Sequence, residues 1–489
     1  RRCSMGHLGL SAEPAVLVQR RRRILTSTEG LDTMPASLTI HRTAIVVVLA
    51  TALACSSLDA PDQNAASVGG LTDSPTASSV AAATQGLIAA MRTDAATITQ
   101  RFSIFGKEAY NLDPGNPELE SQYFQVLGDL AVWPNEYATI KLADMVMEAT
   151  GKVPEFTAEQ REGILGFAQT VKAIELLNVI RSTGASGAAL DAPTTATSPL
   201  PPILDEAAVY AGIQALLDSA QVHLQAAGGS FPFALGPGFA GFDTPPTFIM
   251  VNRAIRARAD IDIQDFATAL TDLSASFLST SQPMSLGVYF TYSTVSGDIV
   301  NPLYEAEPRN FYTHPSIVND AQLKPDHTLD GRVIADVREV TPVTRYNLST
   351  QWAFKLYSSP AAPIPLIRNE ELILLRAEAH LGTSQPSLAI QDINVVRTIS
   401  AGLQPITDPY VPAAGQPATL LDELLYEKRY SMMWQMGSSS WIDARHYGKL
   451  AQLPHDLPGY VVFPYTRIPD AECNARDPKP SGCTSPAGF

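Results

Sequence analysis

Gly236-Pro237-Gly238-Phe239-Ala240-Gly241 has the glycine spacing of a dinucleotide-binding loop, and it is the most chemical-looking motif in the chain. That chemistry needs a strand before the loop and a helix after it, so that N–H groups at the helix start meet the phosphates. Here Phe231-Pro232-Phe233 precedes it and Phe242-Asp243-Thr244-Pro245-Pro246 follows, so the nucleotide reading is rejected. His223, His314, His327, His380, His446 and His455 are scattered without ligand spacing, and no H-E-x-x-H, G-x-S-x-G, Walker or C-x-x-C pattern occurs. Asp260-x-Asp262 and Asp326 with Asp330 have oxygens suited to calcium, but Asp serves turns and helix caps in the same pattern, and no metal is assigned. A carboxylate pair for glycoside hydrolysis is recognised by its separation in space, and nothing in the sequence singles one out. No catalytic residue and no cofactor is expected.

Two stretches carry a different chemistry. Residues 105–117 mix aromatic, amide and carboxylate groups (Tyr110, Asn111, Asp113), and residues 304–319 do so again (Tyr304, Glu305, Arg309, Asn310, Phe311, Tyr312, Asn319). Sugars are held by aromatic rings against their C–H faces and by planar amide or carboxylate groups at their hydroxyls. The ligand-binding candidates are therefore Tyr110, Asn111, Asp113, Tyr304, Arg309, Asn310, Phe311, Tyr312 and Trp352, with Tyr289 and Tyr292 as further aromatic candidates. The same residues in a capped turn or a core would need no ligand.

The elements that must position these groups are mostly helices. Apolar residues recur at helical spacing over 84–104, 133–150, 157–181 and 205–226, and over a pair in 247–278 broken near 260–264. Near the C-terminus three more stripes follow: Leu372, Leu375 and Ala379; Leu388, Val395, Val396 and Ile399; Leu421, Leu424, Leu425, Met432 and Met433. Ala377, Ala379 and Gly382 would let a neighbouring helix come close, as in stacked tetratricopeptide pairs. Residues 281–365 differ: short aromatic and β-branched runs separated by Pro, Gly and Asp suggest brief strands and loops. The expected fold class is mainly α, a tetratricopeptide-like helix-pair array with an irregular loop and short-strand insertion. With 489 residues, 45% of them hydrophobic, the chain can bury a large core. Its net charge of −15 disfavours nucleic-acid binding.

Within the C-terminal helices, Glu371-Leu372-Ile373-Leu374-Leu375-Arg376-Ala377-Glu378-Ala379, Ile393-Asn394-Val395-Val396-Arg397, Glu427-x-Arg429 and Trp441-x-Asp443-x-Arg445 follow in order, then Tyr447-Gly448. This series resembles the signature of the SusD/RagB family of nutrient-uptake lipoproteins. The family usually has Glu-Leu-x-Phe-Glu-Gly and an Arg before the Trp, where this chain has 431–436 Ser-Met-Met-Trp-Gln-Met and 438–440 Ser-Ser-Ser. Trp133-Pro134-Asn135-Glu136-Tyr137 and the Phe463-Pro464 segment are similar to further family landmarks. The resemblance implies a non-catalytic outer-membrane lipoprotein that captures oligosaccharides or peptides and sits on a TonB-dependent transporter of the SusC type.

The N-terminal region fits such a destination. The apolar run 43–54 is too short to span a bilayer but suits a signal peptide, and Ala52-Leu53-Ala54-Cys55-Ser56 resembles a bacterial lipobox with Ala52 where Leu is usual. Cys55 is the expected lipid anchor, and Ser56 in place of Asp suits outer-membrane sorting. In an exported chain the nearby Cys473 and Cys483 are expected to pair as a disulfide. The expected layout is an upstream extension (1–33), signal peptide (34–54), flexible tether (55–83), N-terminal helical array (84–280), irregular insertion as ligand region (281–365), and C-terminal helices with a terminal loop (366–489). Two alternatives from other classes are a helical scaffold lipoprotein that binds only protein partners, and a surface glycosidase. The scaffold would lack an aromatic-lined groove; the glycosidase would show two carboxyls roughly 5 to 10 Å apart in a cleft.

Overall fold

The computed structural model describes residues 68–489 except 194, 196 and 308, so the expected extension, the signal peptide and the anchor Cys55 lie outside the described residues. Helix starts follow their local chemistry. The Thr157 hydroxyl accepts the Gln160 N–H while the Gln160 side chain accepts the Thr157 N–H, a capping box that opens a 26-residue helix. Asp205 caps the next helix through the Ala208 N–H, and Pro134, Pro245 and Pro386 occupy first-turn positions where a missing N–H costs nothing.

In chain order the helices of the first half are α1 (Val68–Thr72), α2 (Ala77–Phe105), α3 (Leu119–Phe124), α4 (Pro134–Lys152), α5 (Ala158–Thr183), α6 (Glu206–Ala226), α7 (Pro245–Asp262) and α8 (Phe266–Ser274). Those of the second half are α9 (Ser316–Asn319), α10 (Gly331–Asp336), α11 (Asn369–Gly382), α12 (Pro386–Ile399), α13 (Leu420–Met432), α14 (Ser440–His446) and α15 (Asp470–Asn474). The long ones stack in sequence: α2 on α4, α4 on α5, α5 on α6, α6 on α7, α7 on α8, α8 on α11, and α11 on both α12 and α13. This is the expected helix-pair array. Gly382 marks one close approach, since a Cβ there would lie 2.1 Å from the Phe266 ring. The segment Ala158–Ser186 is apolar and long enough to cross a bilayer, yet 89% of its apolar window is buried, so α5 serves as the core helix of the array. The array also closes on itself. Trp441 of α14 stacks on Phe105 of α2 at 4.4 Å and donates its indole N–H to the Phe463 carbonyl at 2.7 Å.

Among the described residues, six short strands make three two-stranded antiparallel sheets: β1 (Ala109–Asn111) with β3 (Phe311–Thr313), β2 (Gly287–Phe290) with β6 (Ile364–Arg368), and β4 (Val337–Arg345) with β5 (Leu348–Phe354). The insertion is as irregular as expected, though it also holds α9 and α10. Cys473 and Cys483 are joined by a disulfide.

Two expectations are corrected. Residues 77–83, read as tether from their Ser and Ala content, are the first turns of α2, with Val80 and Ala83 buried. The capping box of Thr76 with Ser79 and the contact with α4 supply the order that composition does not show. On α12 the buried stripe is Ala389, Ile390, Ile393 and Val396, while Leu388 and Ile399 are 39% and 62% exposed. That helix has apolar residues on more than one face, and the Ile373, Leu374 and Leu424 side chains of α11 and α13 select which face is covered.

Candidate ligand-binding surface

The β1–β3 ladder brings the two sugar-like stretches together, with Tyr110 opposite Tyr312 and Asn111 opposite Phe311. Beside it lies β5, whose Thr350 hydroxyl donates to the Thr313 carbonyl at 2.9 Å. The β4–β5 turn places Tyr346 and Asn347 at φ 54° and 63°, the paired positive φ of a tight hairpin turn, which Asn tolerates better than Tyr. Tyr346 is held there because its hydroxyl donates to the Asp113 carbonyl at 2.6 Å and Arg345 reaches the Leu112 carbonyl. The hairpin tip thus clamps the loop that leaves β1.

The seam does not present all the residues that sequence reading assigns to a ligand. Tyr110, Asn111 and Tyr312 are buried, with both tyrosine rings packed among Leu112, Leu348 and Ala353. Arg309 is also buried; it donates to the Phe354 and Glu305 carbonyls at 2.8 and 3.0 Å and pairs with Glu307 at 3.0 Å. These four residues shape the surface from beneath. Asp113, Asn310, Phe311 and Trp352 are half-buried and Tyr304 is exposed, so they are the members that can touch a ligand. A small void in the seam, bordered by Glu305, Arg309, Phe311 and Trp434, is about 10 Å³, too small for a sugar ring.

Under the seam is a charged anchor that sequence reading misses. The Asp456 carboxylate accepts from Lys107 Nζ at 2.7 Å, the Tyr110 hydroxyl at 2.8 Å and His314 Nε2 at 2.8 Å. Burial works to raise the Asp456 carboxyl, but the hydrogen bonds and charges of His314 and Lys107 outweigh it and hold the group below the ordinary carboxylate range. Burial lowers both the Lys107 ammonium and the His314 imidazole against the pull of Asp456. Close by, burial pushes the Glu120 carboxyl up to about 8, against the Lys107 charge and the Asn111 N–H. Asp456 lies more than three hundred residues from Lys107, and no local pattern announces the pairing.

Asp456, His314 and Ser316 line up as carboxylate, imidazole and hydroxyl, with His314 Nδ1 2.7 Å from the Ser316 hydroxyl. The same Nδ1 accepts the Ser316 backbone N–H at 3.1 Å, and Arg429 donates to the Ser316 hydroxyl at 2.6 Å. The imidazole therefore caps the first turn of α9. A cleft of about 460 Å³ opens beyond Ser316 between α13 and α14. Its carboxylates Asp320, Asp422 and Asp443 are paired with Arg429, Lys449 and Lys428 at 3.0, 2.6 and 2.6 Å. Burial opposes it, but Lys449 and Thr419 hold the Asp422 carboxyl below its ordinary range, the reverse of what a glycosidase acid needs. The Asp pairs weighed for calcium are likewise engaged: Asp260 by Arg256 at 2.9 Å, Asp262 by Arg181 at 3.1 Å, Asp330 by Arg332 at 2.6 Å, while Asp326 accepts from Thr328.

No family model and no curated protein matches the chain. Solved structures do. A SusD superfamily protein from Bacteroides vulgatus ATCC 8482 superposes with TM-score 0.61 at 16% identity, over 84% of this chain and 100% of its own. A SusD/RagB family protein from Bacteroides thetaiotaomicron VPI-5482 gives 0.56 at 14%, over 81% and 94%. A SusD-like carbohydrate-binding protein from Bacteroides fragilis NCTC 9343 gives 0.54 at 14%, over 70% and 78%. The fold of this chain is SusD-like, in agreement with the resemblance carried by its C-terminal helices.

Proposed function

We propose that the protein is a lipoprotein of the outer-membrane surface that binds oligosaccharide nutrients and passes them to a TonB-dependent barrel of the SusC type. The observation that supports this reading is the β1–β3 register, which pairs Asn111 with Phe311 and so brings the 110–113 and 309–312 stretches to one seam, on an array whose fold is shared with a carbohydrate-binding protein. The ring, amide and carboxylate groups of these two stretches have the chemistry that holds a sugar chain. In this reading Cys55 carries acyl chains, each buried CH₂ adding about 0.8 kcal/mol of membrane affinity. The seam holds ligand, and no bond is made or broken.

The test is to solubilise outer membranes, purify the acylated chain and identify what accompanies it by mass spectrometry, then titrate the pure protein with maltohexaose, xylohexaose and cellohexaose. A stoichiometric barrel and saturable binding of at least one oligosaccharide are expected. Soluble protein partners in place of a barrel, with no oligosaccharide bound, would overturn the proposal in favour of a scaffold.

A further inference from the structure

The glycine-rich loop that fails as a nucleotide motif has another use. Residues 234–239 form one wall of a groove of about 520 Å³, with α2 as the floor and the segment after β2 as the opposite wall. That volume is within the range of small-molecule sites. Gly238 is required by packing, because a Cβ would lie 1.9 Å from the Tyr289 carbonyl oxygen. Gly236 is not: its φ of −66° is open to any residue, and a Cβ there would meet nothing within 4 Å. It leaves bare backbone on the groove wall.

The other walls hold groups in fixed orientations. Tyr289 is half-buried, and its hydroxyl is tied to the Ser285 carbonyl, which sets the plane of the ring. Tyr292 donates to the Arg92 carbonyl at 3.1 Å and lies under the Arg92 guanidinium, 5.6 Å from ring centroid to Cζ. Arg92 donates to the Thr291 carbonyl at 2.9 Å and pairs with Asp298 at 2.6 Å, while its Nε–H, out of solvent, has no partner among the described residues. Gln85 uses its amide N–H₂ on the Ala234 carbonyl at 3.0 Å, leaving the amide oxygen available as an acceptor.

We infer that this groove is a second binding site of the protein, for a neutral pyranose segment of an oligosaccharide. A prearranged ring face suits the C–H face of a sugar, and the Gln85 amide and the bare Gly236 backbone suit its hydroxyls. The Arg92–Asp298 pair is self-neutralised, so the groove offers no net charge to an acidic or basic ligand. The inference rests on the proposed oligosaccharide binding, but the groove is built from other residues than the seam.

The experiment is calorimetric titration of the full chain with maltohexaose, xylohexaose and cellohexaose, with hydrogen exchange measured at saturation. Wild type is expected to take up two equivalents and to gain protection over 234–241 and 289–298. Tyr289→Ala is expected to weaken the groove site about tenfold. Gly236→Phe adds a large side chain to the groove lining where a Cβ meets nothing within 4 Å, and is expected to fold normally and abolish one equivalent, while Tyr304→Ala leaves the groove site unchanged. Protection confined to 110–117 and 304–312, with Gly236→Phe binding as wild type does, overturns the groove and leaves the proposed function standing. Absence of binding to every oligosaccharide overturns both.

Discussion

Glu120 is 1% exposed, and one of its carboxyl oxygens has no hydrogen-bond partner among the described residues. Burial raises its pKa from an ordinary value near 4.5 to about 8, so between those limits the folded protein keeps a proton that the unfolded chain releases. The protonated group's contribution to stability is therefore complete below about 4.5 and is lost as pH rises through about 8. Glu120→Gln keeps the shape and removes the titration. Urea unfolding of the two proteins at pH 5 should show similar stability, and at pH 8.5 the variant should be more stable by about 3 to 5 kcal/mol, since the wild type loses roughly 1.4 kcal/mol per pH unit between about 4.5 and about 8. A gap that stays constant across this range would mean that Glu120 does not titrate there. Such a carboxyl can persist because the seam needs it: its oxygen accepts the Asn111 N–H at 3.3 Å, at the residue where β1 turns toward the Asp113 loop.

At the scale of elements, helix-on-helix approach is set by small residues, and Gly382 is the clearest instance. A methyl group there would strike the Phe266 ring of α8, so Gly382→Ala should destabilise the protein by about 1 to 3 kcal/mol, read as a lowered urea midpoint with an unchanged slope. An unchanged midpoint would show that α8 and α11 can part without cost. The long helices were legible because apolar residues recur at three to four positions and Thr157 or Asp205 stands at a helix start. The covered face of α12 was not legible: Leu388 and Ile399 satisfy the helical period as well as Ile390 and Ile393 do, and only the neighbours α11 and α13 decide between them. The candidate site divides the same way. Its residue types were visible in 110–113 and 304–312, but the pairing of strands two hundred residues apart, which turns Tyr110 and Tyr312 inward and leaves Tyr304 outside, depends on contacts that no local pattern encodes.

At the scale of the whole molecule, a buried ionic network ties the insertion to the array beside the β1–β3 seam. Arg332 of α10 pairs with Asp330 at 2.6 Å and with Glu427 of α13 at 2.7 Å, and donates to the Ser431 hydroxyl at 2.9 Å. Arg397 of α12 holds the other Glu427 oxygen at 3.0 Å and also pairs with Glu423. All five charged groups are buried, so each depends on the others for the solvation that water no longer provides. Arg332→Met would leave Asp330 without its cation and Glu427 with Arg397 alone. The expected loss is about 3 to 5 kcal/mol, the usual consequence of removing one partner from a buried pair. The exposed pair of Arg338 with Glu307 supplies the contrast: Arg338→Met should change stability by less than about 1 kcal/mol, because water solvates both charges already. Scanning calorimetry distinguishes two kinds of failure. If the network welds the insertion to the helices, Arg332→Met melts in a single endotherm at lower temperature, since the β1–β3 seam and the stacking of Phe354 on Trp434 still couple the parts. Two separated endotherms in wild type would mean that the insertion unfolds independently, and that the ligand surface it carries is free to reorganise without the array.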